Sequence, residues 1–287
     1  MKRVGCILML LVGMFASAES LRDELFRIVS DVDACVGVAV IADGDTVTIG
    51  NHRRYPLMSV VKFHQALFVA DYIRNHGDTV VVVEREDLRD DTYSPLREQY
   101  PAGGIRMSAT ELVDYAMRLS DNNACDILFR AIGSPVVVDG YIRSLGVADF
   151  EVAATEAEMH DEPRRCADNN STPLAMAELL STAIVGADDE TQRVVLTPMR
   201  ECATGQRRLA AGLVGTDVSL LHKTGTGGPL DSGKIVGIND VGVVTFPDGR
   251  RYVIAVFVTD AAESLQRCEQ VIAEVSSATF QWFSNKK

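Results

Sequence analysis

The chain has 287 residues, of which 47% are hydrophobic and 24% are charged, the composition of a globular protein with a sizeable core. Its 28 Lys and Arg residues are outnumbered by 40 Asp and Glu residues, and the net charge of −12 disfavours binding to nucleic acid. The length allows one large domain or two modest ones.

The first 18 residues have the three parts of a signal peptide. Lys2 and Arg3 precede an apolar run at 4–15, and the small residues at 16–18 supply a cleavage site. We therefore expect residues 1–18 to be removed and the mature protein to be periplasmic or secreted. Its charge is then −14, because 26 basic residues remain against 40 acidic ones. No other stretch approaches the roughly 18 apolar residues of a membrane span, so no membrane attachment is expected after cleavage.

Cysteine and histidine usage gives no sign of a metal site. Neither residue type forms a cluster with the spacing of zinc ligands, and we expect no metal and no cofactor. An odd number of cysteines remains after Cys6 leaves with the signal peptide, so at least one thiol stays unpaired within the chain. The expected product is a monomer whose partner is a small-molecule substrate. The mature cysteines are Cys35, Cys125, Cys166, Cys202 and Cys268.

Both ends of the mature chain predict a mixture of helix and strand. Residues 20–31 read as a helix that starts at Ser20, with Asp23 three residues on, and strands at 36–41 and 46–49 follow as a hairpin. The C-terminal part predicts three more strands and a helix, at 219–224, 238–246, 252–259 and 265–283. We expect these five strands to form one antiparallel sheet covered by helices.

The middle of the chain predicts mainly helices. They are expected at 60–75, 108–119 and 172–185, the last with Asn170, Ser171 or Thr172 as its cap and Pro173 in its first turn. The predicted fold class is therefore α/β of the α+β kind. A sheet domain of residues 19–51 and 202–287 carries an inserted, mostly helical domain of residues 52–201.

A serine and a lysine three residues apart mark one candidate site. Ser59 and Lys62 lie at the start of a predicted helix and project from one face, so the amine reaches the hydroxyl. Serine needs such a neighbour to act as a nucleophile. Ser284 and Lys287 repeat the spacing, and we interpret that second copy as a solvated tail.

Two further motifs follow in the same chain. Ser120-Asp121-Asn122 comes 61 residues after Ser59 at the end of an apolar helix, and Lys223-Thr224-Gly225 comes 103 residues after Ser120 on a predicted strand. Each tripeptide is rare by chance, so their joint occurrence after a Ser-x-x-Lys is strong evidence that the three motifs belong to one site.

These motifs resemble those of class A serine β-lactamases, and the resemblance covers essentially the whole mature chain. The segment at 91–95, which contains Tyr93, is similar to the one that holds an aromatic residue at the mouth of the cleft. The segment at 155–160 resembles the omega loop of a second subclass, which includes several cephalosporinases. In that alignment Glu156 takes the place of the glutamate that drives deacylation.

The omega loop departs from the commoner class A pattern at three positions. His160 replaces an asparagine that helps to hold the water, Ala154 replaces an arginine, and Asn169 replaces an aspartate. All three replacements are typical of the second subclass.

The resemblance implies a mechanism in two steps. Ser59 attacks the β-lactam carbonyl, and either Lys62 or Glu156 acting through a water takes its proton. The oxyanion is expected between the backbone N–H groups of Ser59 and Thr226, and Ser120 passes a proton to the leaving nitrogen. Glu156 then activates the water that hydrolyses the acyl-enzyme.

The same resemblance implies a set of residues that bind the substrate. Lys223 supplies positive charge and the threonine hydroxyls bind the carboxylate, while Asn122 holds the side-chain amide. Arg208 is the candidate for a further cation, although Arg207 lies next to it. The complete set of binding residues is Tyr93, Asn122, His160, Arg208, Lys223, Thr224, Gly225 and Thr226.

Two alternatives share the nucleophile and the motifs. A D,D-peptidase lacks a positioned deacylation base, and a β-lactam sensor is tethered to a membrane and keeps the drug bound. Glu156 argues against the first alternative, and the cleavable signal argues against the second.

Overall fold

Residues 18–286 are described by a computed structural model, and its centre is one five-stranded antiparallel sheet with the order β2-β1-β10-β9-β8. Two short pairings, β3-β7-β6 and β4-β5, lie outside it. The expected antiparallel sheet with flanking helices is confirmed. The strands are β1 Cys35–Ala42, β2 Asp45–Ile49, β3 Tyr55–Pro56, β4 Val80–Val83, β5 Ile105–Ser108, β6 Phe150–Glu151, β7 Asn170–Ser171, β8 Ser219–Thr226, β9 Ile238–Thr245 and β10 Arg251–Thr259.

The helices lie on both faces of the sheet, and most of them come between β2 and β8 in the chain. Short 3-10 segments occur at Met58–Val60, Arg85–Asp87, Pro163–Ala167 and Leu209–Leu213, and a π-helical segment at Gln192–Leu196. The α-helices are α1 Ala18–Val29, α2 Val61–His76, α3 Pro95–Gln99, α4 Ala109–Arg118, α5 Asn122–Ala131, α6 Pro135–Ser144, α7 Glu156–Asp161, α8 Pro173–Val185, α9 Asp189–Thr191, α10 Thr197–Arg200 and α11 Leu265–Ser284.

The sheet joins segments that are far apart in the chain. Strand β1 pairs with β10 along its whole length, from Cys35 opposite Thr259 to Ala42 opposite Tyr252. Strand β8, which carries the Lys-Thr-Gly motif, pairs only with β9 and is an edge of the sheet. The motif therefore has one side open to other parts of the molecule.

Alternate residues of β10 face two separate cores, because side chains alternate across a strand. Val253, Ala255 and Phe257 belong to the core under the helical part of the chain. Ile254 and Val256 belong to a second core, which α1 and α11 cover. Burial on both faces explains why β10 reads as an almost unbroken apolar run.

Local capping signals set several helix starts as expected. Thr172 is the cap of α8, and its hydroxyl accepts a hydrogen bond from the N–H of Ala175. Ser108 forms a capping box with Glu111 at the start of α4. The prediction that Ser20 begins the first helix is wrong, because α1 already begins at Ala18. Alanine and glutamate at positions 18 and 19 both favour helix, so the helix continues through the serine.

The predicted signal peptide falls almost wholly on residues 1–17, outside the described residues, and the division into domains stays a prediction. Among residues 18–286, no helix is long and apolar enough to cross a membrane.

Candidate active site

Ser59 lies in the 3-10 turn that leads into α2. Met58, just before it, has a left-handed backbone with φ of 50°. The turn is tied on two sides, because the N–H of Leu57 donates to the carbonyl of Asn169 at 2.8 Å and Asn239 Nδ2 donates to the carbonyl of Leu57 at 3.0 Å. The position of the serine hydroxyl is thus fixed by backbone contacts from two other segments.

Lys62 connects its own motif with the Ser-Asp-Asn motif and with Glu156 of the omega loop. Its buried ammonium lies 2.9 Å from Ser59 Oγ, 3.0 Å from Glu156 Oε1, 2.9 Å from the carbonyl of Ser120 and 2.6 Å from Asn122 Oδ1. The serine hydroxyl itself donates to Glu156 Oε1 at 3.4 Å. The residues that the sequence separates by up to 97 positions therefore meet around one amine.

The loop after α4 holds Ser120 in an unusual conformation, with φ of 61°. Asp121 anchors this loop, because its buried carboxylate accepts from the N–H groups of Leu96 at 2.7 Å and Ala124 at 2.8 Å. It also accepts from the hydroxyl of Ser94 at 3.0 Å. Burial raises the pKa of Asp121 despite these bonds.

Strand β8 presents the third motif to this loop. Lys223 Nζ donates to Ser120 Oγ at 3.0 Å and is fully buried. Burial lowers the pKa of Lys223 to about 8. Gly225 is required for close packing, since a Cβ there would lie 2.5 Å from the carbonyl of Leu57. Thr226 follows as the last residue of the strand.

Arg208 is a buried residue of the site. Its Nη1 donates to the carbonyls of Gly225 and Asn239 at 2.9 Å, and its Nη2 donates to Thr226 Oγ1 at 2.8 Å. Glu269 on α11 lies 3.3 Å from its Nε. The neighbouring Arg207 is exposed, so the structure brings Arg208 and not Arg207 to the motif.

Glu156 is the first residue of α7, and Asp126 holds this end of the helix. The carboxylate of Asp126 accepts from the N–H groups of Glu156 and Ala157, both at 2.8 Å. Burial, followed by the negative charge of Glu156, raises the pKa of Asp126 to about 7. Thr155 and Glu158 complete the helix start as a capping box.

A single amide closes the omega loop at the positions where the commoner pattern has arginine and aspartate. Buried Asn169 accepts through Oδ1 from the N–H groups of Ala153 at 2.8 Å and Ala154 at 3.0 Å. Its Nδ2 donates to the carbonyl of Ala154 at 2.8 Å. Because an amide both donates and accepts, Asn169 closes the loop without an ion pair.

His160 and Tyr93 lie at the edge of the site. His160 Nε2 is 3.2 Å from Asp91 Oδ2, so it joins the omega loop to the segment before α3. Tyr93 is 55% exposed, and its carbonyl accepts from the N–H of Asn122 at 3.1 Å. The contacts of Tyr93 therefore place its backbone, not its ring, against the motif.

A cavity of about 360 Å³ opens beside the nucleophile. Polar groups line one part of it, and apolar side chains line the part between the omega loop and the segment after β8. The lining residues are Met58, Ser59, Asn122, Glu156, Met159, His160, Pro163, Cys166, Thr226, Gly227, Gly228, Pro229, Leu230 and Val236.

Other predicted features lie away from this cavity. Ser284, at the end of α11, donates to the carbonyl of Phe280, and Lys287 is outside the described residues. All five cysteines within residues 18–286 are free. The same range contains no group of three or more His, Cys, Asp or Glu residues able to hold a metal ion.

Sequence reasoning missed two parts of the site. Asp126 follows the Ser-Asp-Asn motif by four residues, and only its place opposite α7 reveals its contacts. Cys202, His222 and Asp240 form a connected group behind β8, although they are 18 to 20 residues apart in the chain. No local pattern marks such a group.

The chain is similar to proteins of one family. The sequence profile of the Beta-lactamase enzyme family matches residues 20–283. A beta-lactamase of Phocaeicola vulgatus is 33% identical over 294 residues, covering 96% of this chain and 92% of that protein. The crystal structure of TLA-3 extended-spectrum beta-lactamase is 33% identical with a TM-score of 0.89, covering 93% of this chain and 99% of that chain.

A class A beta-lactamase from Bacteroides cellulosilyticus DSM 14838 has a TM-score of 0.87 at 34% identity, covering 92% of this chain and 97% of that chain. Because the family profile spans nearly all described residues and solved class A enzymes share the fold, this chain belongs to the class A serine β-lactamases, hydrolases whose action on β-lactams gives antibiotic resistance.

Proposed function

We propose that Ser59 is the nucleophile and that Glu156 takes its proton. The observation that carries this assignment is the set of contacts around Lys62. The ammonium donates to the carbonyl of Ser120, to Asn122 Oδ1 and to Ser59 Oγ, which uses all three of its protons, and it forms an ion pair with Glu156 Oε1 at 3.0 Å. Lys62 then has no lone pair for the serine proton.

Glu156 is also the base for deacylation. Its carboxylate lies 3.4 Å from Ser59 Oγ, close to where the acyl ester forms, and Asp126 holds the backbone of Glu156 by accepting from its N–H. A base that reaches the ester region through one water fits this geometry. Ser120, between Lys62 and Lys223, passes a proton to the leaving nitrogen.

The substrate carboxylate binds at the end of β8. Lys223 and Arg208 supply positive charge there, and the Thr224 and Thr226 hydroxyls supply hydrogen bonds. The N–H groups of Ser59 and Thr226 hold the oxyanion as fixed donors. Asn122 and Gly225 lie where the side-chain amide of the substrate passes, with Tyr93 and His160 at the rim.

We also propose that the enzyme acts outside the cytoplasm as a monomer. The cationic start, apolar run and small-residue cleavage site at residues 1–18 support export. The same proposal includes a sheet domain of 19–51 and 202–287 and a helical domain of 52–201, with the cavity between them.

Glu156→Gln tests the proposal, because it keeps the size of the side chain and removes its basicity. We expect acylation to slow and any acyl-enzyme that forms to stall, with at most about one equivalent of cephalosporin opened and an adduct visible by intact-protein mass spectrometry. Ser59→Ala is expected to form no adduct, whereas the control Ser284→Ala is expected to behave as the unmodified enzyme.

Two results would contradict the proposal. Turnover by Glu156→Gln at the wild-type rate would exclude Glu156 as the base, and an adduct on Ser59→Ala would exclude the nucleophile. An adduct that persists for hours on the unmodified protein would instead favour the D,D-peptidase or sensor alternative.

A further inference from the structure

A chain of polar side chains leads from β9 to Thr224. Asp240 on β9 lies 2.9 Å from His222 Nδ1, and His222 in turn acts on the thiol of Cys202, whose pKa it lowers. All three residues are buried. The proposed reaction uses none of them, although His222 directly precedes the Lys-Thr-Gly motif and Asp240 lies opposite Thr224 in the neighbouring strand.

The sulfur continues this chain to the substrate-binding hydroxyl. Cys202 Sγ lies 3.4 Å from Thr204 Oγ1, and Thr204 Oγ1 lies 2.6 Å from Thr224 Oγ1. Either atom is able to be the donor in each contact. A hydroxyl has one proton and two lone pairs, so a Thr204 hydroxyl that donates to the sulfur has to accept from Thr224, whereas one that does not donate to the sulfur is free to donate to Thr224.

Two directions are possible, and they differ at the substrate. With a proton on the sulfur, Cys202 donates to the carbonyl of Thr204 at 3.8 Å or to its hydroxyl at 3.4 Å. The Thr204 hydroxyl is then free to donate to Thr224, and Thr224 keeps its own proton for the substrate carboxylate. With a thiolate, Thr204 donates to the sulfur and Thr224 must donate to Thr204. The Thr224 hydroxyl then offers the carboxylate only lone pairs, which repel it.

We propose that Cys202 is a positioning residue for substrate recognition, and that the proton on its sulfur decides whether Thr224 donates to the substrate carboxylate. The inference rests on the proposed role of Thr224 in binding that carboxylate. It predicts an effect on KM and none on the chemical steps at Ser59.

The charges around the sulfur place this change near neutral pH. His222 and Lys223 face it from β8, and Asp240 on β9 faces His222. Arg118 at the end of α4 accepts through its carbonyl from the N–H of Ala203, and its guanidinium pairs with Asp114 and is also attracted by the charge of Glu201.

These groups act on the sulfur in opposite directions. Burial by itself raises the pKa of Cys202, but the hydrogen bond and the charge of His222, with Lys223, bring it down to about 7. Burial lowers the pKa of His222, whereas the charge of Asp240 raises it to about 10. His222 is thus a cation throughout the titration of the thiol, and its ring protons are already used.

The test is the pH dependence of KM between pH 6 and 7.5, a window that ends below the pKa of about 8 of Lys223. If one charge-assisted hydrogen bond changes binding about tenfold, a midpoint near 7 raises KM about threefold over this window. We expect the pH profile of kcat to be the same in the unmodified enzyme and in Cys202→Ser. A β-lactam whose carboxylate is methylated is expected to show no such rise.

Three variants isolate the chain of hydrogen bonds. Cys202→Ser always carries a donor proton, so its KM is expected to stay at the low-pH value. Thr204→Val keeps the thiol but breaks the chain, so its KM becomes independent of pH while the thiolate absorbance at 240 nm still titrates. Cys35→Ser, the same replacement on β1, is expected to keep the threefold rise.

Each contrary result has a distinct meaning. A pH-dependent KM in Thr204→Val would show that the thiolate acts by its charge alone, and this would overturn the proposal. Equal pH dependence in Cys202→Ser and the unmodified enzyme would also overturn it. If Cys202→Ser melts early, Cys202→Ala supplies the same comparison. Equal KM values for the parent β-lactam and its ester would instead refute the carboxylate site itself.

Discussion

Asn169→Ala removes the amide that closes the omega loop. The change leaves two N–H groups and one carbonyl without partners, of which the groups of Ala154 are fully buried. An unsatisfied buried polar group costs about 1 to 3 kcal/mol, so we expect the closed loop to lose about 2 to 4 kcal/mol. Part of this loss appears as local opening, because a loop can reach water without global unfolding.

Deacylation is the step that reports this loss, since Glu156 lies two residues after Ala154. The assay is the deacylation rate after a single acylation, together with urea unfolding and proteolysis within residues 150–170. We expect slower deacylation, at least tenfold, and faster cleavage of the loop. Unchanged deacylation and unchanged cleavage in Asn169→Ala would refute the argument that this amide holds the loop.

Asn169→Asp is the matched isosteric control. It keeps both acceptor bonds but turns a carboxylate oxygen towards the carbonyl of Ala154. Buried Asp121 accepts comparable N–H bonds and still has a raised pKa. An aspartate at 169 with a raised pKa stabilises the fold fully below its unfolded pKa of about 4 and loses that stability as pH rises. The variant should therefore approach wild-type stability at pH 5 and fall below it at pH 8.

The remaining predictions concern the thiols, the rim and the buried histidine. Because all five described thiols are free, activity is expected to survive mild reductant, and its loss without unfolding would reveal a bridge. His160→Ala is expected to slow deacylation less than Glu156→Gln, and Asp91→Asn, which breaks the same pair, should match it within about twofold. A much slower Asp91 variant would contradict this role.

The last of these predictions concerns pH and stability. The raised pKa of His222 contributes stability that is fully present below about pH 6.5 and is lost as the pH rises towards 10. The lowered pKa of Cys202 contributes stability that is present above about pH 9 and is lost as the pH falls below 7. The two effects offset each other between pH 7 and 9. Cys202→Ser removes the second effect, so urea unfolding should show its stability falling across this range relative to the unmodified enzyme, and parallel curves would contradict the pairing.

Local patterns predicted the sheet and the main helices well. The apolar run of β10 and the caps Ser108 and Thr172 act within a few residues, so the sequence displays them directly. The predicted start of α1 at Ser20 was wrong, because residues with helix propensity precede the capping pattern of this serine.

The site was predictable only where a motif carried it. Ser59, Lys62, Ser120 and Lys223 stand in short patterns of restricted chemistry, and the structure brings them within hydrogen-bonding distance. The burial of Arg208 and the contacts of Asp126 depend on strands and helices that pack from elsewhere. Such contacts leave no periodicity or spacing in the sequence.

The pairing of β1 with β10 has a consequence for the timing of activity. Cys35 and Thr259 are 224 positions apart, so the central strand pair has to wait for nearly the whole chain to be synthesised. Contacts of such long sequence separation form slowly. During synthesis Ser59 is already present, but β8 has no sheet to join, and the nascent chain is catalytically silent. The site around Ser59 is therefore completed only after β9 and β10 are available to pair with β8 and β1.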